Sequence, residues 1–249
     1  MKSPRLRDIL ITVAVLAVCW QFLALLLDHQ VVPGLERIGA TFFAELRGPL
    51  LLHALVSLGR VLCAIGVSIA LGCPVGILLA QNRTANRFLS PAVYLFYPVP
   101  KVVFVPLILL WFGVGNVPKI VLISLVLVNQ MVVLVRDSVK GIPAELIDSV
   151  RSLGARRGAL LRFVFLPASL PAVLTSLRQS IGTAFAVLYI AELFATKYGL
   201  GYYIRLNGSV LFNYPAMYAG IFVMAALGLA LFLGVDRLEK HLCPHIAVT

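Results

Sequence analysis

The chain has 249 residues, of which 61% are hydrophobic and only 12% charged. A soluble domain is nearer half apolar and a quarter charged, so this composition excludes an ordinary soluble domain and indicates a multi-pass membrane protein. The net charge of +11 reads as orientation and lipid contact rather than nucleic-acid binding, because no basic patch interleaved with aromatic residues lies outside the loops.

The chain opens on Lys2, Arg5 and Arg7, followed by an apolar run over 9–27. A basic start and an apolar stretch also describe a signal peptide, but this run is long for a signal core. Asp28, His29 and Gln30 follow it where a small-x-small cleavage site would stand. It reads as an uncleaved first span with its N-terminus in the cytoplasm. In 32–50, Ile38, Phe42, Phe43 and Leu46 give a weak amphipathic face, expected as a short helix at the outer surface. The second span is expected at 54–79 and carries Gly72-x-x-x-Gly76 with Gly66 and Ala70. Such spacing permits close helix approach, read here as packing within one subunit in preference to a dimer seam.

Residues 81–87 (QNRTANR) read as a short basic loop, and the third span, 89–112, is interrupted by Pro98, Pro100 and Pro106. Proline inside a span frees carbonyls that neighbours or water must satisfy, and such breaks often line a pathway. A tight turn at 113–118 leads to the fourth span, 119–135, which ends at Arg136-Asp137. After a polar stretch at 143–171 comes the fifth span, 172–195. A polar connection over 196–214 precedes the sixth, 215–234, in which Ala226, Ala230 and Gly234 recur every four residues. With six spans and both termini inside, 13 of the 21 basic residues fall in inner segments and five, Lys119 among them, outside. That bias fits the positive-inside rule.

Cys19, Cys63, Cys73 and Cys243 show no pairing pattern, and three of them lie in apolar spans. His241, Cys243 and His245 in the tail are read as incidental rather than as a metal site.

The polar stretch 143–171 interrupts the apolar pattern. Leu146, Ile147, Val150 and Leu153 fall at helical spacing, with Glu145, Asp148, Arg151 and Ser152 elsewhere on the helix. Pro143 suits the first turn and Gly154 the left-handed end. A second short helix is expected to carry Arg156, Arg157 and Arg162 with Leu160, Leu161, Phe163 and Phe165, and to be broken by Pro167 and Pro171.

This stretch resembles the cytoplasmic coupling loop of bacterial ABC-importer permeases. That pattern is Glu-Ala-Ala, three residues, Gly, about nine residues, Ile, two residues, Leu-Pro. The matching positions are Asp148-Ser149-Val150, Gly154-Ala155, Val164 and Leu166-Pro167; Asp replaces Glu and Ser-Val replaces Ala-Ala. The resemblance extends over 53–235 through His53-x3-Ser57-Leu58-x-Arg60, Pro100-Lys101 to Pro106 and Trp111-Phe112-Gly113, and Ala191-Glu192 followed by Gly199-Leu200-Gly201-Tyr202. These segments are similar to the nitrate, sulfonate and taurine branch, which includes carriers of thiamine precursors.

The resemblance implies an all-α membrane protein with six transmembrane helices, cytoplasmic termini and cytoplasmic coupling helices between spans four and five. Its parts would be an N-terminal span and outer segment (1–52), a type I transmembrane domain (53–235) and a cytoplasmic tail (236–249). It also implies two ATPase subunits, a second permease subunit forming a homodimer, an extracytoplasmic solute-binding protein and a bacterial inner membrane. The chain has no Gly-x4-Gly-Lys-Ser/Thr phosphate loop and no catalytic constellation. ATP and Mg are therefore expected on the partner, with no cofactor, metal or nucleic acid on this chain.

Within the loop, Leu146, Ile147 and Val150 are expected to dock apolar surface, on the ATPase or on the parent bundle. Asp148 and Arg151 supply polar contacts at the groove rim, Glu145 is counted with them among the ATPase-coupling residues, Gly154 and Ala155 set the turn, and Leu166 and Pro167 anchor the return to the bundle. Arg156, Arg157 and Arg162 are read as headgroup contacts and topology signals. Arg60 and Glu192 fall at similar depth and are expected to pair, either as a structural bridge or in the pathway with Pro100, Lys101 and Pro106. Lys101 suits an anionic solute, or else snorkels or pairs with an acid; Arg178 is expected to snorkel. Basic residues outnumber acids in the spans, which leans towards an anion such as a sulfonate. The alternatives are a thiamine-precursor-like heterocycle as cargo, a stand-alone secondary transporter, for which inverted repeats and further intramembrane carboxylates would be needed, and a non-transporting scaffold.

Overall fold

The computed structural model describes residues 6–27, 29–194 and 196–244. Lys2, Arg5 and His245, invoked above for topology and for the tail, lie outside the described residues. The described secondary structure is helical: α1 (Leu6–Leu27), α2 (Leu35–Leu46), α3 (Pro49–Gln81), α4 (Arg83–Phe96), α5 (Val105–Phe112), α6 (Asn116–Lys140), α7 (Ala144–Ser152), α8 (Arg157–Leu160), α9 (Leu166–Leu193), α10 (Leu200–Arg205) and α11 (Tyr214–Leu242). A 3-10 turn covers Lys101–Phe104, and π-helical stretches cover Leu161–Phe165 and Leu206–Val210.

Four helical segments are long and apolar enough to cross a membrane: Pro49–Gln81, Asn116–Lys140, Arg157–Leu193 and Tyr214–Leu242. A fifth crossing is available if α4 and the Lys101–Phe112 segment, bent by 90° at their junction, count as one. The apolar part of α1, Ile11–Leu27, is shorter.

The chain divides into two compact units, one of residues 1–56 with 197–225 and one of 57–196 with 226–249; α3 and α11 contribute to both. In the first unit, Trp20 Nε1 donates to the Pro33 carbonyl (3.1 Å) and the Leu35 N–H donates to Gln21 Oε1 (2.9 Å), tying α1 to the start of α2. Ile38, Leu50, Ala54, Leu200, Tyr203, Ile204, Ala216 and Ala219 are buried. The connection at 196–214, read as simply polar, instead carries α10 and its buried Leu200 and Tyr203. The Gly199 N–H donates to His53 Nδ1 at 3.0 Å.

The second unit is built on α6, half of whose apolar window is buried. Its core joins Cys73 and Ile77 of α3, Met131, Val135 and Val139 of α6, Leu160 and Phe165 of the loop, and Val173 and Leu177 of α9. Gly72 and Gly76 of α3 serve this packing, as expected, and Gly66 does not. A Cβ at Gly76 would meet Val135 side-chain carbons at 2.8 Å and the Val132 carbonyl at 3.1 Å, whereas one at Gly66 would meet nothing within 4 Å. Gly76→Ala is therefore expected to destabilise by about 1–3 kcal/mol through overpacking, with Gly66→Ala close to neutral. Thermal unfolding in detergent measures both, and equal melting temperatures would contradict this account of α3–α6 packing.

Two loop assignments change. Residues 81–87 are not a loop, because Asn82 Oδ1 accepts from the N–H groups of Thr84 (3.0 Å) and Ala85 (3.1 Å) and starts α4. Pro167 and Pro171 do not break the chain after the loop. Pro167 sits in the first turn of α9, where no N–H is required, and Pro171 is accommodated inside that helix. The Leu166 N–H reaches back to the Leu161 carbonyl across the π stretch, so helix continues from Arg157 to Leu193.

Candidate functional site

The polar loop belongs wholly to the second unit. Gly141 caps α6, with its N–H directed at the Asp137, Ser138 and Val139 carbonyls, and Pro143 precedes α7. Gly154 ends the turn after α7 at φ +85°, a backbone region that favours glycine. Helix α7 divides its apolar residues. Ile147 and Val150 are half-buried against the Met131–Val135–Leu177 core, and Ala155 and Val164 pack there too. Leu146 is 57% exposed and Leu153, just past the helix, 85% exposed. The two readings offered for this trio of docking residues thus separate: Ile147 and Val150 face the parent bundle, and Leu146 with Leu153 face outward. Glu145 is exposed. Arg151 Nη1 pairs with Asp148 Oδ1 at 3.2 Å, one turn apart on the exposed surface.

The expected anchor at Leu166 and Pro167 is corrected. Leu166 is 45% exposed and Pro167 is also exposed, while Leu160 and Phe165 are buried in the core. The π stretch adds a residue to the turn after Leu160, so the next inward position is Phe165 rather than Val164, and Leu166 falls outside the core.

The second constellation is a charge cluster, also within this unit. Glu192, near the end of α9, and Arg60 on α3 are 0% and 4% exposed and pair at 2.6 Å, as their depth in the sequence leads one to expect. Ser57 Oγ lies 2.8 and 2.9 Å from the two Glu192 carboxylate oxygens. Arg60 Nε and Nη2 both donate to Asn116 Oδ1, at 2.9 and 2.8 Å, and Nη2 reaches Thr196 Oγ1 at 3.4 Å. Lys119, assigned from sequence to the outer surface, is instead fully buried. It feels the charges of both Arg60 and Glu192. Asn116 and Lys119 are three apart in α6 and share a face, the signal that would have linked them to the pair. The cluster ties α3, the start of α6 and the end of α9 through charge-assisted hydrogen bonds.

The remaining pathway candidates take local structural positions. Pro100 caps the 3-10 turn and Pro106 lies in the first turn of α5. Lys101 Nζ donates to the Phe96 (2.6 Å) and Tyr97 (2.7 Å) carbonyls, so its charge caps the end of α4 at the 90° bend. Arg178, expected to snorkel, is 33% exposed and held by acids. It bridges to Asp236 (3.3 Å) and Glu239 (2.9 Å) of α11. Arg136, read as a loop residue, is buried: it donates to Tyr94 Oη (2.5 Å), Ser90 Oγ (3.2 Å) and Asp137 Oδ1 (2.6 Å), joining α6 to α4. Among the described residues there is no group of three or more His, Cys, Asp or Glu able to hold a metal.

Residues 72–247 match the family described as binding-protein-dependent transport system inner membrane component. The chain is 36% identical over 192 residues to the taurine transport system permease protein TauC of Escherichia coli K12, covering 77% of this chain and 70% of that protein. It is 30% identical over 225 residues to the putative aliphatic sulfonates transport permease protein SsuC of Bacillus subtilis 168, covering 86% and 81%. Its fold is similar to a chain of the inward-facing MetNI methionine ABC transporter, with a TM-score of 0.67, 20% identity, and coverage of 79% and 97%. An apolar helical chain that folds its polar loop onto its own core, matched over most of its length by this family, belongs to the binding-protein-dependent transport system inner membrane components, as an ABC-importer permease of the taurine and sulfonate type.

Proposed function

We propose that this permease forms the membrane pathway of an importer for a small anionic solute of the sulfonate class, in a bacterial inner membrane, with six spans and both termini cytoplasmic. Two ATPase subunits supply hydrolysis, a solute-binding protein delivers cargo from outside, and a second copy of the chain completes the pathway. The loop carries this reading. Helix α7 is held on the bundle by Ile147 and Val150, while Leu146, Leu153, Glu145 and the Asp148–Arg151 pair remain exposed for a partner. A rigid element of this kind transmits a partner's closure as rotation of the helices it sits on. The names of the taurine and aliphatic-sulfonate relatives support a cargo that carries a sulfonate group, and the excess of cations over acids in the spans suits that group's negative charge.

The test is uptake into proteoliposomes holding the chain with its ATPase and binding protein. ATP-dependent accumulation of taurine or an alkanesulfonate is expected, competed by neither an aminopyrimidine nor a neutral amino acid. Accumulation driven by an ion gradient without the ATPase would overturn the permease role, and uptake of the pyrimidine instead would overturn the substrate class.

A further inference from the structure

The segment between the coupling turn and α9 has a surface that the ATPase reading does not use. Arg156, Arg157 and Arg162 are all exposed, and among the described residues none of them makes an ion pair. No acid occurs in the sequence from 149 to 191. Beside these cations stand exposed apolar side chains: Leu161 (41%), Phe163 (68%) and Leu166 (45%). The Arg162 guanidinium lies 5.7 Å from the centre of the Phe163 ring. The inward side of the same turns is occupied by Leu160 and Phe165, so Leu161, Phe163 and Leu166 are not core residues of this unit.

We propose that this surface is a binding site for anionic phospholipid of the surrounding bilayer, with the three arginines on the phosphates and Leu161, Phe163 and Leu166 among the upper acyl carbons. It rests on the loop being cytoplasmic. Two observations favour lipid over protein as occupant. The first is charge: unpaired arginines next to an exposed aromatic ring match an interface that is negative at the headgroups and apolar beneath. The second is continuity. Helix runs without a break from Arg157 through Pro167 into the membrane-crossing part of α9, so the apolar strip is the cytoplasmic end of the span's own surface. The lipid thereby bears on Leu160 and Phe165, which share a core with Ile147 and Val150 of α7. Bilayer composition is coupled to how firmly the coupling helix is seated.

The test uses the full chain, delipidated in mild detergent and titrated with phosphatidylglycerol or phosphatidylcholine, with bound lipid counted by native mass spectrometry. Wild type is expected to prefer phosphatidylglycerol. Each cation near an anionic surface contributes roughly fivefold, so Arg156→Gln/Arg157→Gln/Arg162→Gln is expected to lose on the order of a hundredfold of that affinity. Its melting temperature should hold, since all three side chains are exposed. Phe163→Ser is expected to weaken binding of both lipids while keeping the preference. An unchanged preference in the triple variant overturns the proposal. So does loss of ATPase co-purification by that variant in phosphatidylcholine nanodiscs where wild type retains it, because the arginines would then be a protein contact. Since wild-type ATPase association is read in the same nanodiscs, failure of the coupling reading itself registers separately.

Discussion

Glu192→Gln is expected to destabilise the protein by about 3–5 kcal/mol, because it removes one partner of a buried ion pair and leaves the other charge uncompensated. The amide keeps the shape and one acceptor for Ser57, so the loss reports charge rather than packing. Arg60, held by Asn116 through two donors, has no room to withdraw to water at 4% exposure. Lys119, fully buried nearby, loses the attraction of the same carboxylate. The reciprocal change, Arg60→Gln, leaves Lys119 as the cation near Glu192 and is expected to cost less. Removing both charges restores balance, so Arg60→Gln/Glu192→Gln is expected to be more stable than either single variant, with a coupling energy on the order of 0.5–3 kcal/mol. Unfolding in nanodiscs gives the cycle, and additive single effects would show that the pair does not act as a unit. Uptake by the double variant then separates two roles. A folded, transporting protein makes the cluster a brace for α3, α6 and α9. A folded protein that no longer transports assigns these charges to the pathway.

How much of this was legible depended on the kind of signal. The loop stood out because a polar stretch inside an apolar chain must lie outside the bilayer, and because Gly154 at a helix end has a conformational reason to be there. The Arg60–Glu192 pair was legible because Glu192 is the one acid read well inside a span and Arg60 the base at matching depth. Lys119 was not, since a lysine after the Gly115-Asn116-Val117-Pro118 turn looks like an interfacial cation, and only the fold buries it. Proline was a sound signal in one place and a false one in another. At 98–100 it marks a true break, a 90° bend capped by Lys101. At 167 and 171 it does not, because a first-turn position and the preceding π stretch absorb it. That π stretch also sets the buried position five residues after Leu160, at Phe165, so Leu166, singled out by the Leu-Pro resemblance, stays exposed. Pattern reading assumes one helical period, and functional loops are where that period changes.

Leu153→Asp is expected to abolish productive coupling without unfolding the permease. At 85% exposure Leu153 packs on almost nothing in its own chain, so its replacement should change stability by no more than about 0.5 kcal/mol. It stands seven residues from Leu146, one position past the end of α7, and both side chains are exposed while Ile147 and Val150 pack on the core. If that exposed surface enters an ATPase groove, burying one leucine contributes about 1.5–3 kcal/mol, a factor of roughly ten to a hundred in affinity. An aspartate there adds the cost of desolvating its charge. Ile147→Asp makes the contrast, for it places a charge against the buried core of this unit and should lower the melting temperature of the isolated chain. Arg151→Ala, which breaks only an exposed pair, should do little to either. Affinity for the ATPase and thermal stability are therefore expected to move independently: the first with Leu153, the second with Ile147. If Leu153→Asp binds the ATPase as tightly as wild type, the outward face of α7 is not the docking face, and coupling must pass through the loop's inner residues or not through this loop at all.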